Sequence, residues 1–294
     1  MKSWIRTAKG ALAKADQGFT LIEVAIVLAI VSLLIGMGLQ TYSKSLDNAK
    51  IKTTGERMDK IEAAITLFAI QNGYLPCPAD GSLNTASASF GISQGGGKDT
   101  TTACTALTAG TEVVPWRTLG LDELYSKDGW GNRITYYVGG RAQGTTTTDG
   151  SINYHNSAST TDGIYRSGTS YPMGTLEVRD ISANEMTYSL KTQSNCTVSP
   201  NPNGYICAAY VLVSHGAHAA GAYSGNSPAA GSTPRVSVGD ASASETENND
   251  GDRLFIQNTP TERASSSGIF DDIVRWRSAP SIVASCGAAA CGNS

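Results

Sequence analysis

The stretch "QGFTLIEVAIVLAI", Gln17–Ile30, decides the fold, because it sets one carboxylate, Glu23, inside a run that otherwise has the makings of a membrane span. An ionised carboxylate near the centre of a bilayer costs roughly 2.5–3.5 kcal/mol on insertion scales. Something must offset that cost. Across residues 19–39 only Thr20, Glu23, Ser32, Gly36 and Gly38 interrupt the apolar pattern. As a helix rising 1.5 Å per residue, this segment covers about 31 Å, the thickness of a hydrocarbon core.

Upstream, residues 1–18 carry Lys2, Arg6, Lys9 and Lys14 against a single Asp16. Such a flank stays on the cytoplasmic side, so the chain that follows is expected to be exported. A secretory signal peptide would have a shorter apolar core and a small-residue exit of the A-x-A kind. This run is longer and has no such exit. The basic residues stop just ahead of Gly18–Phe19, which places processing before the apolar run rather than behind it.

Downstream, the pattern changes without breaking. Ile51, Met58, Ile61, Ile65 and Phe68 recur at three- and four-residue steps, with one double-length gap, among Lys50, Lys52, Glu56, Arg57, Asp59, Lys60 and Glu62. That is an amphipathic helix. Asn72–Gly73, with Pro76 and Pro78 beyond, marks its end. A helix over residues 19–72 would be roughly 81 Å long if unbroken. Its first half is suited to lipid and its second to packing against a folded head.

The string Gly18-Phe19-Thr20-Leu21-Ile22-Glu23, behind a basic leader and ahead of a long apolar helix, resembles the prepilin cleavage and methylation motif of type IV pilins and type II secretion pseudopilins. The resemblance implies a cut by a prepilin peptidase between Gly18 and Phe19, followed by methylation of the new Phe19 amine. It also implies an answer to the Glu23 problem. In a filament the carboxylate of one subunit pairs with the N-terminal amine of its neighbour, and a costly buried charge becomes a contact that sets register. The competing reading has Glu23 facing a protein groove or reaching the membrane interface.

The fold implied is α+β: the type IV pilin fold, with a long N-terminal helix, membrane-spanning in its first half, packed on an antiparallel β-sheet head with long loops. The corresponding organisation is a cleaved cytoplasmic leader at 1–18, a transmembrane and polymerisation segment at 19–40, an amphipathic segment at 41–72 and an exported head at 73–294. Expected strands are 133–138, 175–180, 185–191, 205–214 and 253–257, several alternating or β-branched. Residues 81–110, 139–170 and 219–250 are rich in Gly, Ser, Thr and Asn and read as loops. Within the head, "GYLPCPAD" (73–80), "VVPWRTLGL" (113–121) and "DGWGNRITYYV" (128–138) resemble heads of some secretion pseudopilins and minor pilins. Trp116 and Trp130 supply apolar area there, and Gly129 and Gly131 a turn.

Six cysteines, Cys77, Cys104, Cys196, Cys207, Cys286 and Cys291, all follow the apolar segment, which fits disulfides formed outside the cytoplasm. Nearest-neighbour pairing is the simplest of the connectivities, and spacing alone does not select it. Only 16% of residues are charged, and the formal net charge is −3, with no basic cluster after the N-terminus. No nucleic-acid surface is indicated. Losing the leader shifts the formal charge from −3 to −6, in keeping with an exposed, soluble head.

Little chemistry emerges. "VLVSHGAHAAGAY" (211–223), "ETENNDGD" (245–252) and "FDDIVRW" (270–276) resemble the C-terminal loop arrangement of major type II pseudopilins, in which a glycine-rich strand exit and an acidic loop can hold calcium. Glu245, Glu247, Asn248, Asn249, Asp250, Asp252, Asp271 and Asp272 offer the oxygens that Ca²⁺ requires. The candidate ligands are Glu247, Asn249, Asp250, Asp252, Asp271 and Asp272. Ala217 and His218 depart from the pattern, since an aspartate is often found there. The loop is no EF-hand: Gly251 at the invariant glycine would put Thr246 and Gln257 at the outer ligand positions. A solvated acidic loop is the competing reading. His215 and His218 have the spacing of a zinc pair but no third ligand nearby in sequence, so they read as loop histidines. "GISQGGGKDT" (91–100) fails the phosphate-loop spacing, and no G-x-S-x-G elbow occurs. No catalytic activity is expected.

The sequence therefore leads to a structural subunit of a type IV pilus-like or type II secretion filament. Its expected partners are the prepilin peptidase, other pilin or pseudopilin subunits and the inner-membrane assembly platform. It would be held in the bacterial inner membrane by one N-terminal helix with the head in the periplasm, then in a periplasmic or cell-surface filament. A head of this size favours a minor pilin or pseudopilin. A major pilin with adhesin-like loops and a singly anchored envelope protein with a ligand-binding head are the alternatives.

Overall fold

The computed structural model describes residues 20–72, 74–95, 104, 107, 110–138, 176–180, 182, 208–224, 235–237, 239, 241–251, 254–259, 261–265 and 268–285, with the backbone alone for 36–43, 261–265, 268–269, 279–280 and 283. Gly18, Phe19, Asp252, Cys196, Cys207, Cys286, Cys291, the 139–170 loop and the strand expected at 185–191 lie outside these residues. The chain forms two compact units, Met1–Asn48 and Ala49–Ser294.

The first unit contributes the opening of helix α1, which spans Leu21–Asn72. Every large apolar side chain from Leu21 to Ile35 is exposed, Leu21 at 89%. Among the described residues no helix is long and apolar enough to cross a membrane; Phe19 and the side chains of 36–39, which complete the apolar run, are outside that description.

In the second unit, α1 turns amphipathic as its sequence dictates. Met58, Ile61, Ile65 and Ala69 are fully buried, while Leu67 on the opposite side is 54% exposed. The helix ends at Asn72, whose Nδ2 donates to the Phe68 carbonyl at 2.9 Å, ahead of a proline-bearing segment that cannot continue it.

Helices and a mainly antiparallel sheet make the architecture α+β. Five strands, β1 (Ala79–Asp80), β2 (Glu112–Val113), β3 (Thr135–Val138), β5 (Ala208–Ser214) and β9 (Ile273–Ser278), form one sheet in the order β1-β2-β3-β5-β9. All its pairings are antiparallel, with Tyr136 opposite Leu212 and Val211 opposite Trp276. Strand β4 (Glu177–Arg179) pairs in parallel with β6 (Leu254–Ile256), and β7 (Thr261–Ser265) pairs with β8 (Gly268–Phe270). Two short α-helices, α2 (Ala243–Glu247) and α3 (Ala279–Ser285), and a 3-10 turn at Glu123–Ser126 complete the described elements. The three head stretches singled out in the sequence supply β1, β2 and β3, so they are neighbours in space.

The main sheet is covered on both faces. One face packs on α1, where Met58, Ile61 and Ile65 meet Ile134, Tyr136, Tyr210 and Leu212. The other packs on the β4–β6 layer, where Val211, Val213 and Val274 meet Val178 and Phe255. Strand β5, between β3 and β9, is buried along its whole length, as expected of a strand with no solvent face.

Polar contacts fix the helix to the sheet. Arg275 and Arg277 of β9 pair with Asp59 and Glu62 of α1, the latter at 2.6 Å. The Asp128–Asn132 turn closes on α1 as well: Arg57 donates to the Asp128 carbonyl at 2.7 Å, and Gly129 N–H donates to Thr54 Oγ1 at 2.8 Å. Any β-carbon on Gly129 would lie 2.2 Å from the Lys50 carbonyl oxygen, so close approach of two backbones demands glycine. Inside the turn, the buried Asp128 carboxylate accepts from Trp130 N–H, Asn132 N–H and Ser214 Oγ–H, each at 2.9 Å. Burial pushes its pKa upward, against the pull of those donors.

Five sequence expectations need correction. The strand at β9 was not foreseen. Neither were β1 and β2, nor the β7–β8 pair. Finally, the 219–250 segment is not all loop, because it contains α2.

Candidate functional site

Two groups of side chains have functional geometry. At the start of α1, Thr20 and Glu23 close on each other. Glu23 Oε2 accepts from Thr20 N–H at 2.8 Å and from Thr20 Oγ1–H at 2.7 Å, while Glu23 N–H approaches Thr20 Oγ1 at 3.3 Å. This is the reciprocal arrangement of a capping box, which satisfies orphan donors at a helix N-terminus. The sequence reading anticipated the position of Glu23 at the helix start but not this local partner.

The second group lies where β5 leaves the sheet. Past Ser214 the chain turns through Gly216, whose φ of +57° and whose distance of 2.4 Å from a built β-carbon to the Asp271 carbonyl exclude a side chain. The turn sets His215 and His218 beside the β8–β9 connection, which holds Asp271 and Asp272, and beside α2, which holds Glu245. The sequence forms α2 locally through Ser242 and Glu245, another capping box: Ser242 Oγ accepts from Glu245 N–H and Glu245 Oε2 from Ser242 N–H.

His215 is fully buried, with Nε2 2.7 Å from Thr135 Oγ1 and Nδ1 3.6 Å from Asp272 Oδ1. His218 Nδ1 lies 3.5 Å from Glu245 Oε2. Asp271 Oδ2 accepts from His218 N–H at 2.8 Å, and Asp271 N–H donates to Glu245 Oε1 at 3.1 Å. Asn248 Nδ2 donates to Asp272 Oδ2 at 2.8 Å. Burial, reinforced by the adjoining Glu245 carboxylate, pushes the Asp271 pKa up to about 6. Single oxygens of Glu245, Asp271 and Asp272 lie within 4.8 Å of one another.

Of the residues proposed for calcium, Asp271 and Asp272 therefore come together, and Glu247 and Asp250 are not members of that group. Asn249 is buried nearby, but Nδ2 donates to the Ala220 carbonyl at 2.8 Å and Oδ1 accepts from Arg235 at 3.1 Å. The loop is not a solvated acidic one, since Glu245, Asn248 and Asp272 are buried. Both histidines stand in the turn that leaves β5, as expected of loop residues. Among the described residues the group that could hold a metal ion is three carboxylates, those of Glu245, Asp271 and Asp272. Glu245 could have been singled out from the Ser242-x-x-Glu245 signature, which fixes it at a helix start. The convergence of residues far apart in sequence carried no sequence signal.

The prokaryotic N-terminal methylation motif matches residues 13–39. The chain thus carries the prepilin-type cleavage and methylation motif found in type IV pilins and pseudopilins. The motif implies processing by a prepilin peptidase and assembly with other pilin subunits. Comparisons with curated proteins and with solved structures give no match.

Proposed function

We propose that the chain is a minor pilin or pseudopilin, a structural and non-catalytic subunit of a type IV pilus-like or type II secretion filament. It is cut after Gly18, methylated at Phe19 and assembled through its N-terminal helix. The observation that carries this reading is the methylation motif over 13–39 with Glu23 in place. The exposed apolar side chains from Leu21 to Ile35 support it, because a surface of that kind requires lipid or neighbouring helices around it. Before assembly that surroundings is the inner membrane, with the head on the periplasmic side. In the filament it is the bundle of subunit helices, and the Glu23 carboxylate exchanges its Thr20 partners for a neighbour's Phe19 amine.

The test is quantitative mass spectrometry of filaments sheared from cells, with N-terminal peptides identified, for the native chain and Glu23→Ala. A few copies per filament beginning at Phe19, with the variant cut normally but depleted from filaments, is the expected result. A high copy number would make it the shaft subunit, and an uncut N-terminus would overturn the reading.

A further inference from the structure

We propose that the guanidinium of Arg133 binds one buried water molecule in a small cavity beside β1 and β2, and that this water bridges Arg133 to Asp80 and Ser126. The inference goes beyond the filament reading and does not depend on it.

Arg133 stands just ahead of β3 and is only 3% exposed. A buried cation is costly unless its donors are met. Nη1 meets two acceptors, the Gly81 carbonyl at 2.7 Å and the Leu83 carbonyl at 2.9 Å. The Arg133 Cζ lies over the Phe90 ring, 4.8 Å from its centroid, a favourable place for a cation. Nη2, however, has no hydrogen-bond partner among the described residues. Burial lowers the Arg133 pKa, and Glu123 and Asp80 oppose that through space. Donors so deeply placed are almost always satisfied in a folded protein, by ordered water where protein atoms do not reach.

Arg133 lines a cavity of about 10 Å³, walled by Phe90, Val113 and Trp116 and lined also by Asp80 and Ser126. One water needs roughly 10–15 Å³ of such space and two to four polar partners. The partners are at hand. Asp80 takes both Ser82 bonds on Oδ1, which leaves Oδ2 as an acceptor. Ser126 Oγ–H donates to the Glu123 carbonyl at 2.7 Å, so its lone pairs are left to accept. A water in the cavity accepts from Nη2 and donates to these two oxygens. Chloride would also satisfy Nη2, but it would face the Asp80 carboxylate at close range and could donate to neither oxygen. Dry cavities are apolar, and this one is not. The loop after β1, the 3-10 turn and the entry to β3 thus meet at a single water.

The test is a crystal structure of the full chain in detergent, at a resolution that shows ordered waters, with a second crystal soaked in bromide. One water within about 3.2 Å of Arg133 Nη2 and of an Asp80 or Ser126 oxygen is expected. In solution, magnetic relaxation dispersion reads the residence time of buried water, and Ser126→Ala, which removes one acceptor, should shorten it about two- to ten-fold. An empty cavity, a bromide peak inside it or Nη2 bonded to a protein atom would each overturn the proposal. So would a residence time that Ser126→Ala leaves unchanged. None of these readouts requires a filament, so failure here is distinct from failure of the filament reading.

Discussion

Replacing Ile61 by alanine tests whether the second half of α1 is the spine of the head. Ile61 is fully buried against a cluster that includes Ile134, Tyr136, Tyr210 and Leu212. The substitution removes three carbons, worth about 2.4 kcal/mol at about 0.8 kcal/mol each. The cavity left behind brings the cost into the range of about 2–5 kcal/mol measured for such truncations. Alanine's better helix propensity returns only a few tenths of a kcal/mol. Leu67→Ala, on the same helix but 54% exposed, should cost no more than about 0.5 kcal/mol. Urea unfolding of the full chain, followed by near-UV circular dichroism, separates the two. With a slope of about 2 kcal/mol/M, the Ile61 variant should lose about 1 M or more in midpoint and the Leu67 variant about a quarter of that or less. Equal shifts would refute the packing of this helix face under the sheet.

Two other perturbations address the supports around that core. Cys77 and Cys104 form a disulfide across a sequence separation of 27, so Cys77→Ala with Cys104→Ala should cost about 3.5 kcal/mol by loop entropy. For a domain of this size, Tm would fall by about 7–14 °C, and a fall under about 2 °C in calorimetry would count against that role. Gly129→Ala drives a methyl group into the Lys50 carbonyl. It should cost about 1–3 kcal/mol and shift Trp130 fluorescence; an unchanged urea midpoint would show that the turn stands clear of α1.

Much of the helix was legible because its signals are local. The apolar run, the amphipathic spacing from Ile51 to Phe68 and the Asn72–Gly73 stop all lie within a few turns of the residues that they govern. The observed α1 ends at Asn72 as expected. Strand β5 was legible for the same reason, its Ala208–Ser214 run being apolar enough to be buried throughout. Strand β9 was not. Its Ile-Val-Arg-Trp-Arg-Ser sequence alternates, but Arg275 and Arg277 lie on the helix side of the strand, where they stay partly in solvent and pair with Asp59 and Glu62. The residues around the β5 exit divide likewise. Asp271 and Asp272 stood out as adjacent carboxylates, whereas His215 and His218 looked isolated because their carboxylate partners arrive through sheet topology. Nearest-neighbour pairing held for Cys77 with Cys104.

The ion pairs between β9 and α1 join residues 216 and 215 positions apart. Contacts of such high order close late, because loop entropy must be spent before they form. While β9 is missing, the edge of β5 is an open template for another strand. That makes the interval between arrival of α1 and arrival of β9 the stage most exposed to aggregation. A chaperone would have its greatest effect there, and a chain truncated before Ile273 should be cleared by proteases rather than stored.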